Sequence, residues 1–255
     1  MAIWQNIIDS LWFNFFFAVL LILAMGSGIL YAIRYKKKSN WESSGIENSV
    51  VGIFGLIISF TFLQAGNAHR ERFANIHKEA ANIDMLYRYS KGMPDSFYKV
   101  TRNTLITFLD NQITYQQSDD EQFLYNAKKI SDSYWLYLMN YTEQTNDLIH
   151  ADRLNKISVC FDQIRTSVSL LAYSYYERTP SFVMFLLVIV ALLIGFLVGF
   201  MNAIKLKIHY LLPTIYFVMI TLTMAVISDL NNPRLGFIKP SYHHLGLIYE
   251  NIKNN

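Results

Sequence analysis

The chain has few of the residues from which catalytic and metal sites are usually built. Of its 255 residues, one is a cysteine, Cys160, which excludes an internal disulfide framework and a cysteine-based zinc site. A buried packing role is the simplest interpretation of Cys160. The P-loop, serine hydrolase and zinc peptidase motifs do not occur in the sequence. We therefore predict no enzyme, no catalytic residues, no cofactor and no metal site.

Charge is also scarce: 16% of the residues are charged and 53% are hydrophobic, whereas a soluble domain carries about a quarter charged residues. A net charge of +3 is too small to indicate a basic surface that binds nucleic acid. The apolar residues form runs that are each long enough to span a bilayer. These runs are 11–33, 48–66, 182–204 and 211–229. The first is interpreted as a retained helix, since its basic cluster follows the run and does not precede it.

The short loops set the expected topology. The first loop carries Arg34, Lys36, Lys37 and Lys38, and the loop between the last two runs carries Lys205 and Lys207. Both loops fall on one side if all four runs span, and the positive-inside rule makes that side cytoplasmic. We therefore expect a multi-pass protein of the bacterial cytoplasmic membrane. Both termini and residues 68–180 are predicted to lie outside the cytoplasm.

The segment 68–180 is predicted to be an extramembrane helical bundle. Its apolar residues repeat every three or four positions, most clearly from Leu154 to Tyr175, as in helices that pack side by side. Residues 50–91 contain no proline and predict one helix that continues from the membrane into this bundle, up to a break at Gly92–Asp95. The fold class is all-α, with four transmembrane helices in a 2+2 arrangement. The expected domains are 1–67, 68–180, 181–229 and a C-terminal tail, 230–255.

Small residues form stripes within the apolar runs. Gly52, Gly55 and Gly66 fall near one face of the second helix, and Gly195 and Gly199 form a GxxxG pair in the third. Such stripes let helix backbones approach closely. They are predicted to be helix-packing positions. The stripe of the second helix, from Gly52 to Arg70, faces either a symmetric pore or its own bundle.

The second helix also carries a polar collar where it leaves the bilayer. The candidates for a pore lining or pore mouth are Ser59, Gln64, Asn67, Arg70 and Arg72. Arginines repeated by symmetry would form basic rings that favour anions. The alternative is that they are interfacial anchors with snorkelling side chains.

Three blocks of the sequence resemble the bacterial bestrophin-like domain family. The first is Gly52, Gly55 and Phe60, followed by Arg72, Glu79, Ala80, Leu86, Tyr87 and Arg88. The second is the layout of two runs, a helical insert and two runs. The third is the tail, with Asp229, Asn232, Pro233, Gly236, Phe237, Ile238 and Ser241.

The resemblance implies a four-span protein that is similar in layout to bestrophin anion channels, which are oligomers with a pore lined by the second membrane helix. The expected partners are then the lipid bilayer, further copies of the chain and small anions. In bestrophins the region between the second and third spans is cytoplasmic, whereas the charge count places it outside here. The main hypothesis is an oligomeric ion channel for anions. The alternative is a non-conducting scaffold or sensor whose helical bundle binds a partner protein.

Overall fold

A computed structural model describes residues 12–36, 45–118, 122–144, 148–176, 179–204, 211–232 and 236–254. Within these ranges the chain is all-helical, and no strand occurs, which confirms the predicted all-α class. The helices are α1 (Phe13–Lys36), α2 (Ile46–Ser90), α3 (Asp95–Ser118), α4 (Gln122–Gln144), α5 (Leu148–Tyr176), α6 (Ser181–Ile204), α7 (Leu211–Asn231) and α8 (His243–Asn254). The predicted topology also rests on Lys37, Lys38, Lys205 and Lys207, which lie outside the described residues, as does Pro233 of the tail.

Helix α2 is continuous over 45 residues, as the absence of internal proline predicts. It ends at Ser90, and the backbone then turns: the Gly92 amide donates to the Tyr89 carbonyl (3.2 Å) and the Met93 amide to the Ser90 carbonyl (3.0 Å). Proline at position 94 cannot continue the helix. The break between α2 and α3 therefore falls where the sequence predicts it.

The chain divides into two compact units. The membrane unit comprises Met1–His69 and Glu177–Lys239. It contains α1, α6, α7 and the apolar half of α2, which are long and apolar enough to cross a membrane. Its core is made of apolar side chains from all four helices, including Phe17, Phe54, Leu187 and Met224. The protein is therefore a multi-pass membrane protein.

The bundle unit comprises Arg70–Tyr176 and Pro240–Asn255. The predicted apolar repeat of α5 forms its core: Leu154, Ile157, Phe161, Ile164, Leu171 and Tyr175 are all buried. Helix α8 adds Leu245 and Ile252, which are fully buried against the same core. The C-terminal segment 240–255, which the sequence set apart as a tail, thus belongs to the bundle.

Helix α8 is also held by side chains of other helices. The Arg102 guanidinium on α3 donates to the carbonyls of Ile252 (3.1 Å) and Lys253 (2.8 Å), which belong to the last turn of α8 and have no partner in their own helix. The hydroxyls of Tyr175 and Tyr242 share a hydrogen bond of 3.0 Å. The final helix is therefore capped and fixed at both ends.

Candidate functional site

The apolar half of α2 has one packed side and one open side. The packed side is formed by Phe54, Ile58, Thr61 and Ala65, all buried. On other faces of the helix, a Cβ atom built at Gly52, Gly55 or Gly66 meets no atom of the described chain within 4 Å. At 100° per residue the three glycines fall within about 60° of one another, and each lies at least about 60° from the residues of the packed side. The described part of the chain thus leaves a glycine-lined face of a membrane helix uncovered.

Exposed polar side chains also lie off the packed side of α2. At 100° per residue Ser59 falls among the glycines, whereas Asn67 and Gln64 lie about 60° and about 120° beyond Gly52. Ser59, Gln64 and Asn67 are exposed. The Ser59 hydroxyl donates to the carbonyl of Gly55 (2.7 Å), so its proton is used within the helix and its oxygen remains an acceptor. The amide groups of Gln64 and Asn67 each carry two N–H donors. These two amides can therefore donate hydrogen bonds to an anion, whereas the Ser59 hydroxyl cannot.

Arg70 and Arg72 differ sharply in environment. Arg70 is exposed, whereas Arg72 is fully buried in the bundle unit, where its Nε donates to the Ser174 carbonyl (2.9 Å). That carbonyl lies in the last turn of α5 and has no acceptor role within the helix. Residues two apart on a helix point about 160° apart, which explains the difference. Arg70 is therefore available at the surface, and Arg72 ties α2 to the end of α5.

The glycines of α6 pack inside the chain. A Cβ at Gly199 would overlap the Met25 carbonyl oxygen, and one at Gly195 would lie 2.8 Å from Leu21 Cδ1. Likewise, a Cβ at Gly28 of α1 would overlap the carbonyl oxygen of Phe196 on α6. Glycines on both helices thus let the backbones of α1 and α6 touch.

The tail motif forms a tight loop after α7. The Asp229 carboxylate accepts hydrogen bonds from the amides of Phe237 (2.6 Å) and Ile238 (2.7 Å). A Cβ at Gly236 would lie 2.7 Å from the Asp229 carbonyl oxygen and 2.8 Å from that of Asn232, so the loop closes only around glycine. Asp229, Asn232 and Gly236 are thus bound together in one structure, which gives the spacing of the motif a physical reason.

A model of the bestrophin-like domain matches residues 15–241. The chain belongs to the bestrophin-like family. This match confirms the resemblance seen in α2 and in the tail loop. No curated protein and no solved structure showed significant similarity to the chain. Membership of this family fits a channel-like role and a protein that is not an enzyme.

The bestrophin-like protein buries a carboxyl group in its bundle. Glu79 on α2 and Gln112 on α3 are both fully buried, and Gln112 Nε2 donates to Glu79 Oε1 over 2.6 Å. Burial raises the pKa of Glu79 to about 8, because the charged form loses its hydration. Glu79 is therefore neutral over most of the physiological pH range.

Two histidines meet in the same unit. The rings of His77 on α2 and His244 on α8 lie edge to face with centroids 4.6 Å apart, and Phe73 lies against His77 at 4.2 Å. Among the described residues of this bestrophin-like chain, no three His, Cys, Asp or Glu side chains converge to hold a metal ion. The histidine pair is thus an aromatic contact between α2 and α8.

Sequence reasoning missed the Glu79–Gln112 pair and the docking of α8. The apolar repeat of α2 carries a signal for Glu79. This residue lies three positions after Ile76 and four before Ile83, on the buried face of the helix. An acidic residue in that register is expected to be buried. For Gln112 and α8 the partners are distant in sequence, and no local pattern joins them.

Proposed function

We propose that this bestrophin-like protein is a homo-oligomeric ion channel that favours anions, with α2 lining the pore. The observation that carries the proposal is the open side of α2, which combines glycines, polar side chains and an arginine on a membrane helix. Family membership supports the same function. The four membrane-spanning helices would adopt a 2+2 arrangement around the bundle, in a bacterial cytoplasmic membrane. Both termini and residues 68–180 would lie outside the cytoplasm.

Assembly would use the glycines that the chain leaves uncovered. Gly52, Gly55 and Gly66 have free space beside them, so a helix of a second copy can approach the α2 backbone closely. Gly195 and Gly199 already pack against α1 within the chain. We therefore assign the first three to contacts between copies or to the pore wall, and the last two to the fold of one chain.

The polar groups would act in sequence along the pore. Ser59, Gln64 and Asn67 would line it, and Arg70 would form a basic ring at its mouth. Buried Arg72 would fix the direction of α2 through its bond to Ser174 and add positive charge behind the mouth. Rings of basic side chains raise the local concentration of anions and repel cations.

Flux measurements on purified protein in liposomes test this function. We expect chloride flux above that of empty liposomes, with chloride preferred over potassium. Arg70→Glu should reverse or abolish the preference, because it replaces a basic ring by an acidic one. Arg88→Glu is the matched control, since Arg88 is an exposed arginine of the same helix that pairs with Asp84 (2.8 Å). Equal selectivity in the wild type and Arg70→Glu would contradict the assigned role of Arg70.

The alternative function is a non-conducting scaffold or sensor whose bundle binds a partner protein. One observation favours it: Leu136 and Met139 on α4 are 63% and 45% exposed, one turn apart on the bundle surface. Recovery of a stoichiometric partner that Leu136→Glu releases, together with flux no greater than that of empty liposomes, would select this function over the channel.

A further inference from the structure

The carboxyl group of Glu79 is buried among apolar side chains and the amide of Gln112. It lies in the core of the bundle unit, flanked on α2 by Ile76 and Ile83 and facing Gln112 of α3, and all four side chains are fully buried. One hydrogen bond is present, from Gln112 Nε2 to Glu79 Oε1. A single neutral donor is little compensation for a carboxylate that has lost its hydration.

The remaining atoms of the pair are two acceptors without a donor. Glu79 Oε2 and Gln112 Oε1 are buried, and neither has a hydrogen-bond partner. An ionised carboxylate can only accept, and the amide oxygen can only accept. A proton on Glu79 Oε2 would supply a donor to this pair of buried acceptors.

From this arrangement we propose that Glu79 and Gln112 form a proton-binding site that joins α2 to α3, and that loss of the proton weakens this contact. Deprotonation would leave a buried charge that the single N–H donor of Gln112 stabilises poorly. The site is thus a pH-sensitive element in the bundle unit. It lies on the helix that carries the open face, and any effect on conduction rests on the proposed function.

The electrostatic surroundings agree with a neutral Glu79. Burial is the cause of the raised pKa of Glu79, at about 8. Among the described residues, Arg72 is the one other charged side chain that is buried. Arg72 is engaged with Ser174 and Asp132 with Arg165. The site therefore responds to protons through desolvation and not through an ion pair.

Infrared spectroscopy of the full chain in detergent tests the protonation state directly. We expect the carbonyl stretch of a protonated carboxylic acid to persist at neutral pH and to disappear with a midpoint near 8. Glu79→Gln should remove this band, and Glu71→Gln, at an exposed position of the same helix, should leave it. Absence of the band from wild-type protein at neutral pH would overturn the proposal, because Glu79 would then be ionised. Its unpaired oxygen would in that case be satisfied by a water molecule and not by a proton.

Unfolding measurements test the linkage. A carboxyl group that keeps its proton to about pH 8 when folded, and to about pH 4.5 when unfolded, destabilises the fold increasingly between these values. The folded-to-unfolded ratio of the wild type should fall about tenfold per pH unit relative to Glu79→Gln in this window, and level off above it. Parallel pH profiles of the two proteins would overturn the proposal. If Glu79→Gln does not fold, Glu79→Leu serves instead, because it also removes the carboxyl group, and persistence of the infrared band in that variant counts against the site.

Discussion

Replacing Gly28 by alanine should separate α1 from α6. A Cβ at this position overlaps the Phe196 carbonyl oxygen and lies 2.9 Å from the Phe200 nitrogen, whereas ordinary contacts begin near 3.4 Å. Both obstacles are backbone atoms of a helix and cannot rotate away. Overpacking of this kind costs about 1–3 kcal/mol, and we expect a value near the upper end.

Gly26 is a matched control on the same helix, since a Cβ there meets nothing within 4 Å. Gly26→Ala should change the free energy of unfolding by no more than about 1 kcal/mol, and in the stabilising direction, because alanine is the better helix former. The assay is reversible unfolding of the full chain in mixed detergent micelles, followed by tryptophan fluorescence. Equal stability of the two variants would refute the claim that Gly28 permits the crossing of α1 and α6.

Three further perturbations follow from the contacts. Gly236→Ala should open the Asp229 loop and lower the melting temperature by several degrees, whereas Gly246→Ala, with nothing within 4 Å, should not; similar melting curves would contradict this reading of the loop. Arg102→Met should speed amide hydrogen exchange in α8 by about tenfold through loss of about 1–2 kcal/mol of capping, and unchanged exchange would argue against the cap. Gly55→Leu should break the oligomer into folded monomers in size-exclusion chromatography, and an oligomer of wild-type size would contradict contact between copies at this face.

The membrane helices and the extent of α2 could be predicted because their signals are local. An apolar run long enough to cross the bilayer can be recognised without knowing which helix it packs against. The same is true of the absence of proline from 50 to 91. The apolar register of α5 likewise identifies the buried face of a helix from one helix alone. These patterns determine which residues are buried, but not which residues they meet.

The contacts that give single residues their roles join distant parts of the chain. Arg72 lies 102 positions from Ser174, and Arg102 lies 150 positions from Ile252. The sequence places Arg70 and Arg72 in one collar, and helical geometry alone separates them to different sides of α2. Glycines are equally ambiguous, because glycines on one face of a membrane helix serve contacts within the chain at Gly195 and leave open space at Gly52.

Thiol accessibility during ion flux tests the central claim, that the open side of α2 lines an anion pore, most directly. In a Cys160→Ala background, Ser59→Cys should allow a charged thiol reagent to block chloride flux through the reconstituted protein. Thr61→Cys is the control, because Thr61 is buried on the packed side of the helix, and it should leave flux unchanged. Block at position 59 alone is the predicted result. Flux no greater than that of protein-free liposomes, or block at position 61 with none at position 59, would contradict the account.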